Sequence, residues 1–95
     1  VKIDFSREAE ADIAGINREG IRMFGAAQAQ LYAQGLAQAF RLIADYPMAS
    51  PVRDGMQRSV RTRPYGVHVI LYEITGDTAL ILRICHGRED WTSLI

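Results

Sequence analysis

Lysine, cysteine and tryptophan each occur once in this 95-residue chain, and histidine occurs twice. A single cysteine excludes an internal disulfide and gives no reason to place the protein in an oxidising compartment. Two histidines and one cysteine without a characteristic spacing fall short of a typical metal site, and none is expected. No apolar run approaches about 18 residues, and the first fifteen positions hold six charges. A membrane span and a signal peptide are therefore not expected, and the reading is a cytoplasmic protein. Excess charge is missing as well: 11 Lys+Arg balance 11 Asp+Glu, with an isoelectric point near 6.9. That argues against a surface that attracts nucleic acid or membrane as a whole, and against direct sequence-specific nucleic-acid binding. No phosphate loop, Rossmann glycine pattern or zinc-protease helix motif occurs, so no cofactor is implied.

What the chain does hold is ordinary globular composition, 48% apolar and 23% charged. Its length fits one domain over residues 1–95, burying roughly 60–65% of the unfolded surface. Ten of the eleven basic residues are arginine, and 53–63 packs Arg53, Arg58, Arg61 and Arg63 against a lone Asp54. Arginine suits planar, two-pronged contacts to carboxylate or phosphate. A neutral protein with one arginine-rich strip reads as a partner-binding domain; the plainer alternative is a solvated strand with arginine as its polar alternate.

Residues 1–5 (VKIDF) alternate and predict a short strand. Ser6 suits a helix N-cap, and Glu8, Glu10 and Asp12 suit the positive end of the helix dipole. Ala9, Ile13 and Ile16 fall on one helical face, Gly20 weakens the continuation, and Phe24-Gly25 marks a turn. A second helix is predicted from about Ala26 to Asp45, with Tyr32, Leu36, Ala39, Phe40 and Ile43 as its stripe and Pro47 ending it. Residues 47–56 read as a loop. Strands follow at 57–63, 67–74 and 79–86, with turns at Pro64-Tyr65-Gly66 and at 75–78. The order is β-α-α-β-β-β: an α+β fold with a helical hairpin packed on one face of a mainly antiparallel sheet.

A two-residue turn at Gly76-Asp77 would oppose Leu71 to Leu82, Val69 to Ile84 and Glu73 to Leu80, a nearly all-aliphatic side expected under the helices. The other side would oppose Tyr72 to Ile81, Ile70 to Arg83 and His68 to Cys85, with Arg61 and Arg63 alongside. The expectation is an open, helix-free face carrying Arg61, Arg63, His68 and Arg83 around Ile70, Tyr72 and Ile81, an apolar patch rimmed by arginine and suited to a partner.

Candidate catalysis is weak. Cys85 and His86 are adjacent on a strand and point to opposite faces, which excludes them as a nucleophile–base pair. His68 opposite Cys85 is the better pair but lacks an orienting group, and a structural cysteine is the favoured reading. At the end of the chain, ILRICHGRED (81–90) and Trp91 concentrate positive character at one sheet edge.

Taken in order, several segments resemble the ParE toxins of type II toxin–antitoxin modules, within the RelE/ParE superfamily. They are Ser6 and Ala9 leading into Asp12-Ile13 and Ile16, Phe24-Gly25, Tyr46-Pro47, Arg61, the Tyr72 strand, and Arg83-Ile84-Cys85-His86-Gly87-Arg88. The loop after Pro47 departs from the family, with MASP where a glycine usually stands. The resemblance implies the same β-α-α-β-β-β order. It also implies a ParD-like antitoxin encoded beside the toxin, whose extended segment folds on binding, and a toxin–antitoxin hetero-oligomer. Its characteristic action is inhibition of DNA gyrase by stabilising the cleaved-DNA state, without a reaction of its own. On this reading Arg61, Arg63, His68, Ile70, Tyr72, Ile81 and Arg83 meet the antitoxin, and Arg83, His86, Arg88 and Trp91 meet the target. The alternatives are a RelE-like ribosome-dependent mRNA endonuclease and a non-toxic peptide-binding module on the same fold. The neutral charge and a tail without tyrosine or lysine argue against the nuclease.

Overall fold

The computed structural model describes residues 1–53 and 58–94. Its elements are β1 (Lys2–Phe5), α1 (Arg7–Phe24), α2 (Ala26–Asp45), β2 (Arg61–Tyr65), β3 (His68–Thr75), β4 (Thr78–His86) and a closing 3₁₀ turn at Trp91–Leu94. The order matches the expectation, and α2 has the expected bounds. Asp54 and parts of the expected 47–56 loop and 57–63 strand lie outside the described residues. The sheet order is β1-β4-β3-β2, with β1 parallel to β4 and the other pairs antiparallel.

Ser6 starts α1 as expected: its hydroxyl oxygen accepts from the Ala9 N–H (3.0 Å), satisfying one of the free donors of the first turn. The same hydroxyl donates to the Leu82 carbonyl (2.7 Å), so the cap also ties the helix start to β4. Gly20 does not interrupt α1, which runs on to Phe24. The glycine faces Ala29 on α2. At the far end of α2, the Tyr72 hydroxyl donates to the Pro47 carbonyl (2.8 Å), fixing the chain where proline has ended the helix.

The β3–β4 hairpin holds the expected pairing only near its turn. Tyr72 opposes Ile81 and Glu73 opposes Leu80, but a bulge between Leu71 and Tyr72 moves the pairing by one residue beyond that point. Leu71 then faces Arg83, Ile70 faces Ile84, Val69 faces Cys85 and His68 faces His86. The expected pairs Leu71–Leu82, Val69–Ile84, Ile70–Arg83 and His68–Cys85 are therefore incorrect. An extra residue on one strand shifts every later partner. In the other hairpin Tyr65 stays in β2 and opposes His68, so the turn is Gly66-Val67. Gly66 sits at φ +54°, and a Cβ there would lie 2.4 Å from the Tyr32 hydroxyl, so backbone and packing both call for glycine.

The assignment of sheet faces is reversed relative to the sequence reading. Ile70, Tyr72, Ala79 and Ile81 are fully buried under the helices with Leu36, Ala39 and Ile43, and Ile84 joins them after the bulge. The opposite face carries Leu71, Leu82 and Cys85, roofed by Val60 and flanked by Val69, Leu80 and Trp91. Both faces are apolar because both are covered, one by the hairpin helices and one by the chain around Val60 and the closing turn. An aliphatic pattern alone does not tell the two apart.

Candidate functional site

The open apolar surface lies between the helices. A groove of about 940 Å³ runs along α1 and α2, walled by Ile13, Ile16 and Gly20 on one side and by Ala29, Ala33 and Leu36 on the other. Met23 and Phe24 at the end of α1 contribute to its rim and are largely exposed. The stripe of α1 is broad enough to face both the sheet and this groove, which is why Ile13 and Ile16 are only half-buried. Exposed apolar surface of this extent marks an interaction site.

Polar groups gather where the groove meets the sheet, at Tyr32, His68 and His86. Tyr32 and Tyr65 are locked to each other. The Tyr65 hydroxyl donates to the Tyr32 carbonyl (3.0 Å), and the Tyr32 hydroxyl lies 3.2 Å from the Tyr65 carbonyl with the rings 4.8 Å apart. The Tyr32 hydroxyl also accepts from the Val67 N–H (3.3 Å) and lies 2.7 Å from His68 Nδ1. His68 and His86 face each other across the strands with ring centroids 5.8 Å apart. Burial, with the neighbouring His86, holds the His68 imidazole below its ordinary pKa. Burial also pushes the Tyr32 phenol up.

The arginines expected on an open face are placed differently. Arg61 donates to the Ser50 carbonyl (2.6 Å) and holds the chain after α2. Arg83 forms a two-bond fork with Asp12 on α1, Nε to Oδ2 at 2.8 Å and Nη2 to Oδ1 at 3.0 Å. The same carboxylate accepts the Ile84 N–H (2.9 Å), just past the point where β1 stops covering the edge of β4. Asp12 thus closes a free sheet edge as well as pairing a charge, a role its place near a helix start does not reveal. Arg63 is half-buried on β2, and its Nε is a buried nitrogen without a hydrogen-bond partner among the described residues. Ile70, Tyr72 and Ile81 are 0% exposed. The expected arginine-rimmed open face is therefore absent: its apolar members are core, and Arg61 and Arg83 hold internal acceptors.

Of the four residues expected to meet a target, His86 and Arg88 are exposed and Trp91 is half-buried, with the Arg53 guanidinium 5.3 Å from its ring centroid. Arg83 points instead to Asp12. Cys85 is buried, and burial pushes its thiol up to about 11, away from the thiolate a nucleophile needs. Among the described residues no group of three or more metal-ligating side chains occurs, and no helix is long and apolar enough to cross a membrane.

Two helices on one face of a four-stranded, mostly antiparallel sheet, with an apolar groove left open between them, define a small α+β fold of the RelE/ParE type. Residues 3–91 match the family model described as the ParE toxin of the type II toxin–antitoxin system, parDE, and the chain belongs to that family. No curated protein matches it. Among solved structures, the fold is similar to the "Chromosomal ParDE TA system from P. aeruginosa", with a TM-score of 0.77 at 19% identity over 90% of this chain and 95% of that one.

Proposed function

We propose that this ParE-family toxin acts by binding: free of its antitoxin it inhibits DNA gyrase by stabilising the cleaved-DNA state, and a ParD-type antitoxin silences it in a hetero-oligomeric complex. The observation that carries the antitoxin half is the apolar groove between α1 and α2, long enough for about four turns of a partner helix. An antitoxin segment that folds on binding covers such a groove and removes it from water. The gyrase half rests on the family resemblance. Non-catalytic action is supported by the groups that would do chemistry: Arg61 and Arg83 hold internal acceptors, and the Cys85 thiol is buried. His68 and Arg63 remain antitoxin-contact residues on this reading, Arg88 and Trp91 remain target contacts, and His86, which lines the mouth of the groove, is a target contact that the bound antitoxin covers.

The test is purified toxin added to gyrase with supercoiled plasmid. Dose-dependent loss of supercoiling with trapped double-strand cleavage, reversed by antitoxin, is the expected result. A folded, antitoxin-binding toxin without effect on gyrase would overturn the gyrase assignment, and translating ribosomes would then be assayed for mRNA cleavage.

A further inference from the structure

At the mouth of the groove the hydrogen bonds decide where each imidazole carries its proton. Arg88 donates its backbone N–H to His86 Nδ1 (3.2 Å), so that nitrogen is an acceptor and the neutral ring is protonated at Nε2. For His68, the Tyr32 hydroxyl gives its one proton to the Tyr65 carbonyl (3.2 Å), so at 2.7 Å it accepts from His68 Nδ1–H. The neutral His68 ring therefore has its lone pair at Nε2, which becomes a second donor when the ring takes up a proton. Among the described residues neither Nε2 has a hydrogen-bond partner. Two imidazole edges, on rings 5.8 Å apart, are left at the polar end of an apolar groove.

The geometry points to a carboxylate-binding fork: the Nε2–H groups of His68 and His86 receive one Asp or Glu side chain of the antitoxin segment that fills the groove. This rests on the antitoxin reading above and adds the chemistry of the contact. Glu89, the nearest internal carboxylate in sequence, is turned to the backbone and accepts the His86 N–H (2.7 Å). Asp12 is held by Arg83 and the Ile84 N–H. The other groups facing His68 are the phenols of Tyr32 on α2 and Tyr65 across the turn. The burial that disfavours a charged His68 in the free toxin is offset when a carboxylate arrives. Binding then takes up a proton at His68 Nε2, and affinity rises as pH falls.

Three measurements test this. Nitrogen NMR is expected to show an Nε2–H tautomer at His86 and an Nδ1–H tautomer at His68 in the free toxin, with His68 gaining an Nε2 proton in the complex; a His68 that stays neutral in the complex would overturn the fork. Calorimetry with the ParD-type antitoxin is expected to show affinity rising about tenfold from about pH 8 to about pH 6. His68→Asn and His86→Asn keep a polar partner for Tyr32 and for Arg88 while deleting Nε2. Each is expected to weaken binding about tenfold, and His68→Asn to flatten the pH dependence, with melting temperatures near that of the parent. Antitoxin affinity unchanged by pH and by both variants would overturn the fork and leave the antitoxin reading standing. No binding by the parent at any pH would overturn both.

Discussion

Asp12 and Arg83 lie 71 positions apart in sequence and meet in a two-bond fork, with Asp12 accepting a third hydrogen bond from the Ile84 N–H. The contact fastens α1 to the part of β4 that β1 no longer covers. Both side chains are mostly sequestered, Asp12 at 16% and Arg83 at 25% exposure, so the pair is shielded from the screening that weakens surface ion pairs. Asp12→Ala leaves a guanidinium and an edge N–H without their acceptor, and is expected to lower unfolding stability by about 2–4 kcal/mol. Arg83→Met removes only one partner and is expected to cost less. Urea unfolding of both variants decides it; losses within about 0.5 kcal/mol of zero would show that the fork does not hold the helix.

Tyr72 is fully buried and donates to the Pro47 carbonyl. Tyr72→Phe keeps the ring and deletes the donor. It is expected to cost about 1 kcal/mol, read as a lower thermal midpoint. A midpoint equal to the parent's would mean the carbonyl finds water at no loss.

Gly35 is required by the close approach of Tyr65. A Cβ at position 35 would lie 1.9 Å from the Tyr65 hydroxyl, which is pinned by its bond to the Tyr32 carbonyl. Gly35→Ala is therefore expected to destabilise by about 1–3 kcal/mol despite alanine's better helix propensity. Adding Tyr65→Leu should recover part of that loss, because the clash goes with the ring. If the double variant is less stable than the sum of the singles, the clash is not the cause.

Cys85 gives a pH signature at the alkaline end. Its thiol has an ordinary pKa of 9.0 and is pushed up to about 11 by burial, so between those values the unfolded chain has lost a proton that the folded chain retains. Stability is therefore expected to be intact below about pH 9 and to fall as pH rises toward about 11, by an amount on the order of 2 kcal/mol. Cys85→Ala should flatten that slope. In the native parent, a thiol reagent at about pH 8 should react slowly until denaturant is added; rapid native-state labelling would contradict the burial.

Much of the architecture is legible in the sequence because it is locally encoded. The Ser6 cap, the length of α2 and its end before Pro47, and the turn at Gly76-Asp77 each follow from a few neighbouring residues. The candidate site is not encoded that way. Val69, Leu71 and Leu80 read as the side under the helices because they are aliphatic, yet they occupy the face covered by Val60 and Trp91. The bulge opposite Leu71 leaves no mark in the hydrophobic alternation, and it turns a predicted His68–Cys85 pair into the observed His68–His86 pair. Tyr32 was legible as a stripe residue of α2; its bonds to Val67 and His68 depend on a turn more than 30 positions away.

By itself, the sequence determined the order of two helices and four strands, the structural rather than nucleophilic reading of a lone cysteine, and the ParE resemblance. These depend on composition and on interactions within a few residues along the chain. Only the tertiary structure decided which sheet face lies under the helices, that Arg83 belongs to Asp12, and that two histidines stand together at the mouth of an apolar groove. Each of those depends on how segments far apart in sequence cover one another, and two apolar faces of the same sheet carry no local signal of what will cover them.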